Sequence, residues 1–195
     1  TWAIRRGWAR SRRSRHENEQ IKFFFEHEER IREWAGVETE VIKFVDRFYR
    51  SLKDDLDAAI ADGRIPDDGV ESFLGGGGWP CLGLRRQEWP EGDQGVDVRL
   101  EWNGKRACFP PHGHLVCGVC TNVPGYREPF AKEARPGFPL QSQWWPANKS
   151  VDPPDDRFWE GDNLKEYRNH LVKTILEAWK ELAPLVDEAV GHRSS

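Results

Sequence analysis

The sequence has no long hydrophobic run. No stretch approaches the ~20 consecutive apolar residues needed to cross a bilayer, and the N-terminus continues into HENEQ where a signal peptide would carry its apolar segment. We therefore expect no membrane association and a cytoplasmic location. Methionine is also missing, and the chain begins at Thr1, as expected for a processed chain or for a piece of a longer polypeptide.

The signatures of common catalytic and phosphate-binding sites are missing as well. The chain has no GxSxG, no HExxH and no GKS or GKT motif, and the four glycines at 75–78 do not belong to a GxGxxG pattern. Exposed backbone amides at such glycines can bind an anion. The WPCLG that follows them indicates a strand, however, so we interpret the glycines as a flexible connector. No cofactor is expected.

Cysteine is scarce, with four residues in 195, and two of them lie in the segment HGHLVCGVCTN. Cys117 and Cys120 have the spacing of a zinc knuckle, with His112 and His114 as alternative ligands, or of a thioredoxin-like redox pair. A regular strand would instead place Cys117 and Cys120 on opposite faces. Since no second CxxC is present, we favour a core strand with reduced, metal-free thiols and keep the metal site as the alternative.

Charge is distributed unevenly along the chain, whose net charge is −4. Residues 1–16 hold six arginines and no acidic residue, which leaves 23 of the 29 basic residues against 33 acidic ones elsewhere. Such a tail can take nucleic-acid phosphates while its tryptophans stack on bases, or it can dock on an acidic protein. The candidate binding residues are Arg5, Arg6, Arg10, Arg12, Arg13, Arg15 and Trp8 in the tail, with Trp144 and Trp145 further along.

Helical periodicity marks both ends of the chain. From residue 17, an apolar stripe predicts a first helix that ends at Gly36. A second stripe predicts a helix from an N-cap at Thr39 to Asp62, with Gly63 as its stop. A third stripe, near the C-terminus, predicts one long closing helix.

The middle of the chain alternates as strands do. Val96 to Trp102 is the clearest strand, and Asn103-Gly104 favours a type I′ turn that would place Glu101 opposite Arg106. Segments 79–89 and 115–121 are predicted to add strands, and residues 63–78 to form a loop.

Residues 122–161 contain seven prolines and seven aromatic residues, a composition that favours an ordered arm with one or two short edge strands. The whole pattern predicts the α+β class: a small antiparallel sheet packed against two N-terminal helices and one long C-terminal helix. We expect a basic tail at 1–16 and a single domain at 17–195.

Several segments together carry a family resemblance. These segments occur in a fixed order from about Ile21 to Val190: FVDRFYRSL on the second helix, the sheet segments GGGWPCLGL, VDVRLEWNG and HLVCGV, the loop motifs QWWP and RFWEG, and LAPLVDEAV on the last helix. In this order they resemble the C-terminal region of bacterial PD-(D/E)XK nuclease-superfamily proteins, found in restriction-like and phage-defence settings. That family holds Mg²⁺ with an Asp or Glu two positions before a Lys, and every Lys here has a non-acidic residue there. The resemblance therefore implies an accessory domain without nuclease chemistry.

These observations predict a non-catalytic binding module in a bacterial defence or nucleic-acid-processing assembly. A protein partner is expected, with nucleic acid as a further partner through the arginine tail. The alternative is a metal-dependent hydrolase or nuclease subunit whose site is assembled from scattered residues such as His112, His114, Asp93 and Asp97.

Overall fold

A computed structural model describes residues 19–92, 95–106, 115–131, 137–139, 141–151 and 161–193. Its Cα positions form two compact units, Thr1–Lys43 and Phe44–Ser195. The predicted division into a tail at 1–16 and one domain at 17–195 stays a prediction, because its boundary lies outside the described residues. No helix in the described ranges is long and apolar enough to cross a membrane.

The first unit contains helix α1, residues 19–26, and the beginning of helix α2, Glu28–Ala61. The break between them falls at His27, whose amide donates to the carbonyls of both Phe23 and Phe24, at 3.1 and 3.2 Å. Because α2 continues from Glu28 to Ala61, the predicted helix end at Gly36 is wrong.

Two local features explain why α2 runs on through the predicted corner. A single glycine costs a helix only about 1 kcal/mol relative to alanine, which helix-forming neighbours can offset. Thr39 is no N-cap, because its hydroxyl donates back to the Ala35 carbonyl at 3.1 Å, as a threonine inside a helix does. The apolar stripe predicted for this region is exposed, as Ile21, Phe25 and Trp34 demonstrate.

The end of α2 was predicted correctly. Gly63 has a φ of 69°, in the left-handed region. Its amide donates to the Ile60 carbonyl at 3.1 Å and the Arg64 amide donates to the Ala59 carbonyl at 3.0 Å. These two hydrogen bonds form a Schellman cap, which terminates the helix.

The second unit contains a five-stranded antiparallel sheet with the strand order β1-β2-β3-β4-β5. Its strands are β1 Val70–Gly75, β2 Cys81–Arg86, β3 Val96–Trp102, β4 Leu115–Thr121 and β5 Ala147–Ser150. A 3-10 turn at Pro124–Tyr126, the short helix α3, Glu128–Ala131, and the long helix α4, Asp162–Arg193, complete the described elements. The predicted α+β class is confirmed.

The β3–β4 connection corrects a second prediction. Trp102 pairs with Leu115, so residues 103–114 connect the two strands in place of a two-residue turn. Gly104 has no positive φ, which a type I′ turn requires. Its amide donates to the Gly78 carbonyl at 3.1 Å, so the chain runs on beside the β1–β2 loop.

One face of the sheet forms the core of the second unit and is called the helix-covered face. Strand alternation places on it the buried residues Leu82, Leu84, Val98, Leu100, Cys117 and Val119. Helix α4 packs on β3 and β4, and α2 reaches Trp102 through the Tyr49 ring, whose centroid is 5.2 Å away. Each large apolar side chain buried here contributes about 1.5–3 kcal/mol.

Candidate ligand-binding cleft

Cys117 and Cys120 occupy opposite faces of β4, as predicted. Cys117 pairs with Leu100 on the helix-covered face, whereas Cys120 pairs with Asp97 on the other. Burial raises the pKa of each thiol to about 12, so both are protonated near neutral pH. Within the described residues, no three His, Cys, Asp or Glu side chains are arranged to hold a metal ion.

Most other predicted site residues cannot be placed. The six tail arginines, Trp8, Asp93, His112 and His114 lie outside the described residues. Trp144 and Trp145 are described, and they lie beside the face of the sheet opposite the helix-covered one. That face, called the charged face, is where the structure brings candidate binding residues together.

The centre of the charged face is Arg99, which lies between two glycines. Gly83 on β2 and Gly118 on β4 both pair with Arg99. A Cβ atom at Gly83 would lie 2.8 Å from the Phe73 ring, so the missing side chain makes room for that ring. The Arg99 guanidinium carbon lies 5.8 Å from the Phe73 ring centroid. Strand pairing and the Phe73 ring, for which Gly83 makes room, thus position the guanidinium.

Asp97 and Glu101 flank Arg99 on the same face of β3. Asp97 accepts hydrogen bonds from both Nε and Nη2 of Arg99, which occupies one side of the guanidinium fork. The remaining nitrogen, Nη1, lies 3.7 Å from Oε2 of Glu101, beyond hydrogen-bonding distance. Among the residues that the structure describes, this ion pair is the one polar contact of the Glu101 carboxylate.

Burial shifts the pKa values of Asp97, Arg99 and Glu101. It raises the pKa of Asp97 and of Glu101 above their ordinary values, and Arg99 opposes the rise in both. Burial lowers the pKa of Arg99, but the hydrogen bonds and the charge of Asp97 raise this pKa by more. The pKa of Arg99 therefore lies above its ordinary value. Arg99 is therefore a permanent cation, whereas burial disfavours the charged form of Glu101 by removing much of its hydration.

Tryptophans border a cleft over this row. The tryptophan cleft has a volume of about 630 Å³ and is lined by Trp79, Arg99, Glu101, Val116, Cys120, Asn122, Ser142, Trp144 and Trp145. Trp79 and Trp144 are each 49% exposed. Apolar walls with a few convergent polar groups are the usual composition of a ligand site.

Backbone hydrogen bonds hold both tryptophan segments in place. The Thr121 amide at the end of β4 donates to the Trp144 carbonyl at 3.0 Å, and the Ser142 amide donates to the Trp145 carbonyl at 2.9 Å. On the opposite side, the Trp102 amide donates to the carbonyl of Pro80, the residue after Trp79, at 3.0 Å. The tryptophan walls are thus built onto the ends of β3 and β4.

A larger cleft of about 920 Å³ lies between residues 64–67 and α4. Arg86, one of the cations that line it, donates to both oxygens of Asp187 and pairs with Asp67 at 3.4 Å. Trp179 donates its indole N–H to Asp67 at 2.9 Å, and Trp89 donates to Asp187 at 2.8 Å. Because these groups already satisfy one another, the cluster holds β2 to α4, and we place the ligand site in the smaller tryptophan cleft.

Part of this site can be predicted from the sequence. Asp97, Arg99 and Glu101 alternate within an apolar strand, which predicts three charges on one face. Their burial was missed because Glu101 was paired with Arg106 across a turn that does not exist. Trp79 and Trp144 meet the same cleft only through tertiary structure, which no local pattern reports.

No family model, no curated protein and no solved structure matches the chain. The likeness to an accessory region of PD-(D/E)XK nuclease-superfamily proteins therefore stays a prediction.

Proposed function

We propose that this chain is a non-catalytic binding module, and that it holds single-stranded nucleic acid in the tryptophan cleft. The observation that carries the proposal is the pair of half-exposed tryptophans, Trp79 and Trp144, at a cleft whose floor is the Arg99–Glu101 row. Exposed tryptophan faces are stacking platforms, and stacking on an aromatic side chain contributes about 1–3 kcal/mol per base.

The state of the reactive groups supports binding over catalysis. The Cys120 thiol, whose pKa burial raises to about 12, is a poor nucleophile near neutral pH. Asp97 is buried and accepts two hydrogen bonds from Arg99, the arrangement of a structural ion pair. The remaining groups, Glu101, Asn122 and the indole rings, are suited to hydrogen bonding and stacking.

The setting of this module is part of the same proposal. We place it in the cytoplasm, in a defence or nucleic-acid-processing assembly with a protein partner, as the sequence resemblance implies. The three described cysteines are free thiols, a state that a reducing compartment preserves. The arginine tail supplies phosphate contacts, while the cleft takes bases.

Titration of tryptophan fluorescence with a mixed-sequence single-stranded oligonucleotide tests the proposal. We expect Trp79→Ala and Trp144→Ala each to weaken binding by roughly 5- to 150-fold, the equivalent of one stacking interaction. Trp34→Ala is the matched control, because Trp34 is exposed and lies in the first unit.

A variant is compared only if its circular dichroism spectrum and melting temperature match those of the wild type. Equal affinities for the two cleft variants and the Trp34 control would overturn the proposal, as would a full chain that binds no oligonucleotide at low salt.

A further inference from the structure

We propose that the tryptophan cleft selects guanine: Arg99 donates to the O6 carbonyl of the base, and Glu101 accepts from its N1–H and N2–H groups. This inference rests on the proposed function, since it names the base that the cleft would hold. It concerns the polar floor, whereas the proposed function concerns the tryptophan walls.

The floor presents one donor, Nη1 of Arg99, beside one acceptor, the Glu101 carboxylate. Because Asp97 occupies Nε and Nη2 of Arg99, the nitrogen that faces Glu101 is Nη1. The distance of 3.7 Å between Nη1 and the Glu101 carboxylate leaves both groups without a good mutual hydrogen bond. A ligand edge that accepts at one position and donates at the next two would pair Nη1 of Arg99 and both oxygens of the Glu101 carboxylate.

Guanine is the base whose edge presents one acceptor followed by two adjacent donors. Its carbonyl O6 stands beside two adjacent donors, N1–H and N2–H₂, which a carboxylate accepts together. Adenine and cytosine can place a ring nitrogen on Arg99 and their amino group on Glu101, but they offer the carboxylate only one donor position. Uracil and thymine have a single N–H between two carbonyls. Each of these bases would leave one oxygen of the buried carboxylate unpaired, which is how a hydrogen-bonding site rejects analogues.

The burial of Glu101 favours the binding of such an edge. Its side chain is 18% exposed, so the carboxylate has few water contacts to lose when the base enters. The half-exposed rings of Trp79 and Trp144 offer apolar faces at the same cleft, so stacking adds affinity for any base. The tryptophan rings then provide affinity for any base, and Arg99 and Glu101 select which base binds.

The experiment compares oligothymidylates that carry one central guanine, adenine or cytosine with unsubstituted oligothymidylate. For the wild type we expect the guanine strand to bind at least about fivefold more tightly than the others, the lower limit for a good bidentate base contact. In Glu101→Gln, which keeps the shape and loses one acceptor, we expect this preference to fall to less than about twofold. The affinity of Glu101→Gln for the unsubstituted strand is the reference from which its preference is calculated, and its melting temperature checks the fold.

Competition by free nucleosides identifies the form of the ligand. Displacement of the guanine strand by guanosine, and not by adenosine, supports recognition of the base alone. Displacement only by guanine-containing strands supports recognition of the base within a strand.

Equal wild-type affinity for all four strands would overturn the inference while leaving the proposed function intact. A guanine preference that persists in Glu101→Gln would also overturn it. If no strand binds, or if binding is insensitive to Trp79→Ala and Trp144→Ala, the proposed function itself has failed. The Trp34→Ala variant should behave as the wild type in every arm.

Discussion

Gly118 sets how closely β5 approaches β4. A Cβ atom at this position would lie 2.1 Å from the Ala147 carbonyl oxygen and 2.6 Å from the Cα of Asn148. Both are backbone atoms, which cannot rotate out of the way as a side chain can. Glycine is therefore required here by the neighbouring strand.

We expect Gly118→Ala to destabilise the second unit by about 1–3 kcal/mol, the usual cost of overpacking. Gly76→Ala is the control, since a Cβ there would meet nothing within 4 Å and Gly76 has no positive φ. Chemical denaturation of both variants provides the measurement. A Gly118→Ala protein as stable as the Gly76→Ala protein would mean that β5 does not pair with β4 as described.

Among the secondary-structure elements, those predicted correctly are the ones whose hydrophobic pattern in the sequence matches the burial of their residues. β3 and β4 alternate strongly, and their positions were predicted because one face of each lies against the helices. β1 was missed, because Glu71 and Ser72 interrupt its apolar residues and the glycines at its end indicated a loop. The tryptophan cleft was beyond prediction, since it joins loops before β2 and β5 that are far apart in the chain.

Gly36 inside α2 and Gly63 just after its end allow a direct test of the corrected boundary. Gly36 lies inside the helix with open space around its Cα, so Gly36→Ala should raise stability by about 0.5–1 kcal/mol. Gly63 forms the left-handed cap, so Gly63→Ala should lower stability by about 1 kcal/mol. Helicity and thermal melting of the two variants check both signs. A Gly36→Ala variant that melts at a lower temperature would restore the predicted corner at this glycine.

The charge asymmetry belongs to the whole molecule. Removal of residues 1–15 deletes all six tail arginines, while the described buried core begins only at Val45. We expect weaker binding of single-stranded oligonucleotides, with a log-log salt slope that becomes shallower by about 0.7 for each phosphate that the tail neutralises in the full chain. Guanine preference should remain.

Salt titrations of the full and shortened chains provide the measurement, with the melting temperature as the control for folding. An unchanged salt slope would show that the tail does not contact phosphates. A protein partner released by the same deletion in a pull-down would then assign the tail to protein docking.

The position of α4 after the sheet in the chain order has a consequence for biosynthesis. All five strands are synthesised before the 32 residues of α4. At about 5–20 residues per second, that helix takes roughly 2–6 s to synthesise. During this interval the leucines and valines of the helix-covered face lack one of their two covering helices and are exposed to other nascent chains. We therefore expect translation pauses within α4 to increase chaperone binding and aggregation.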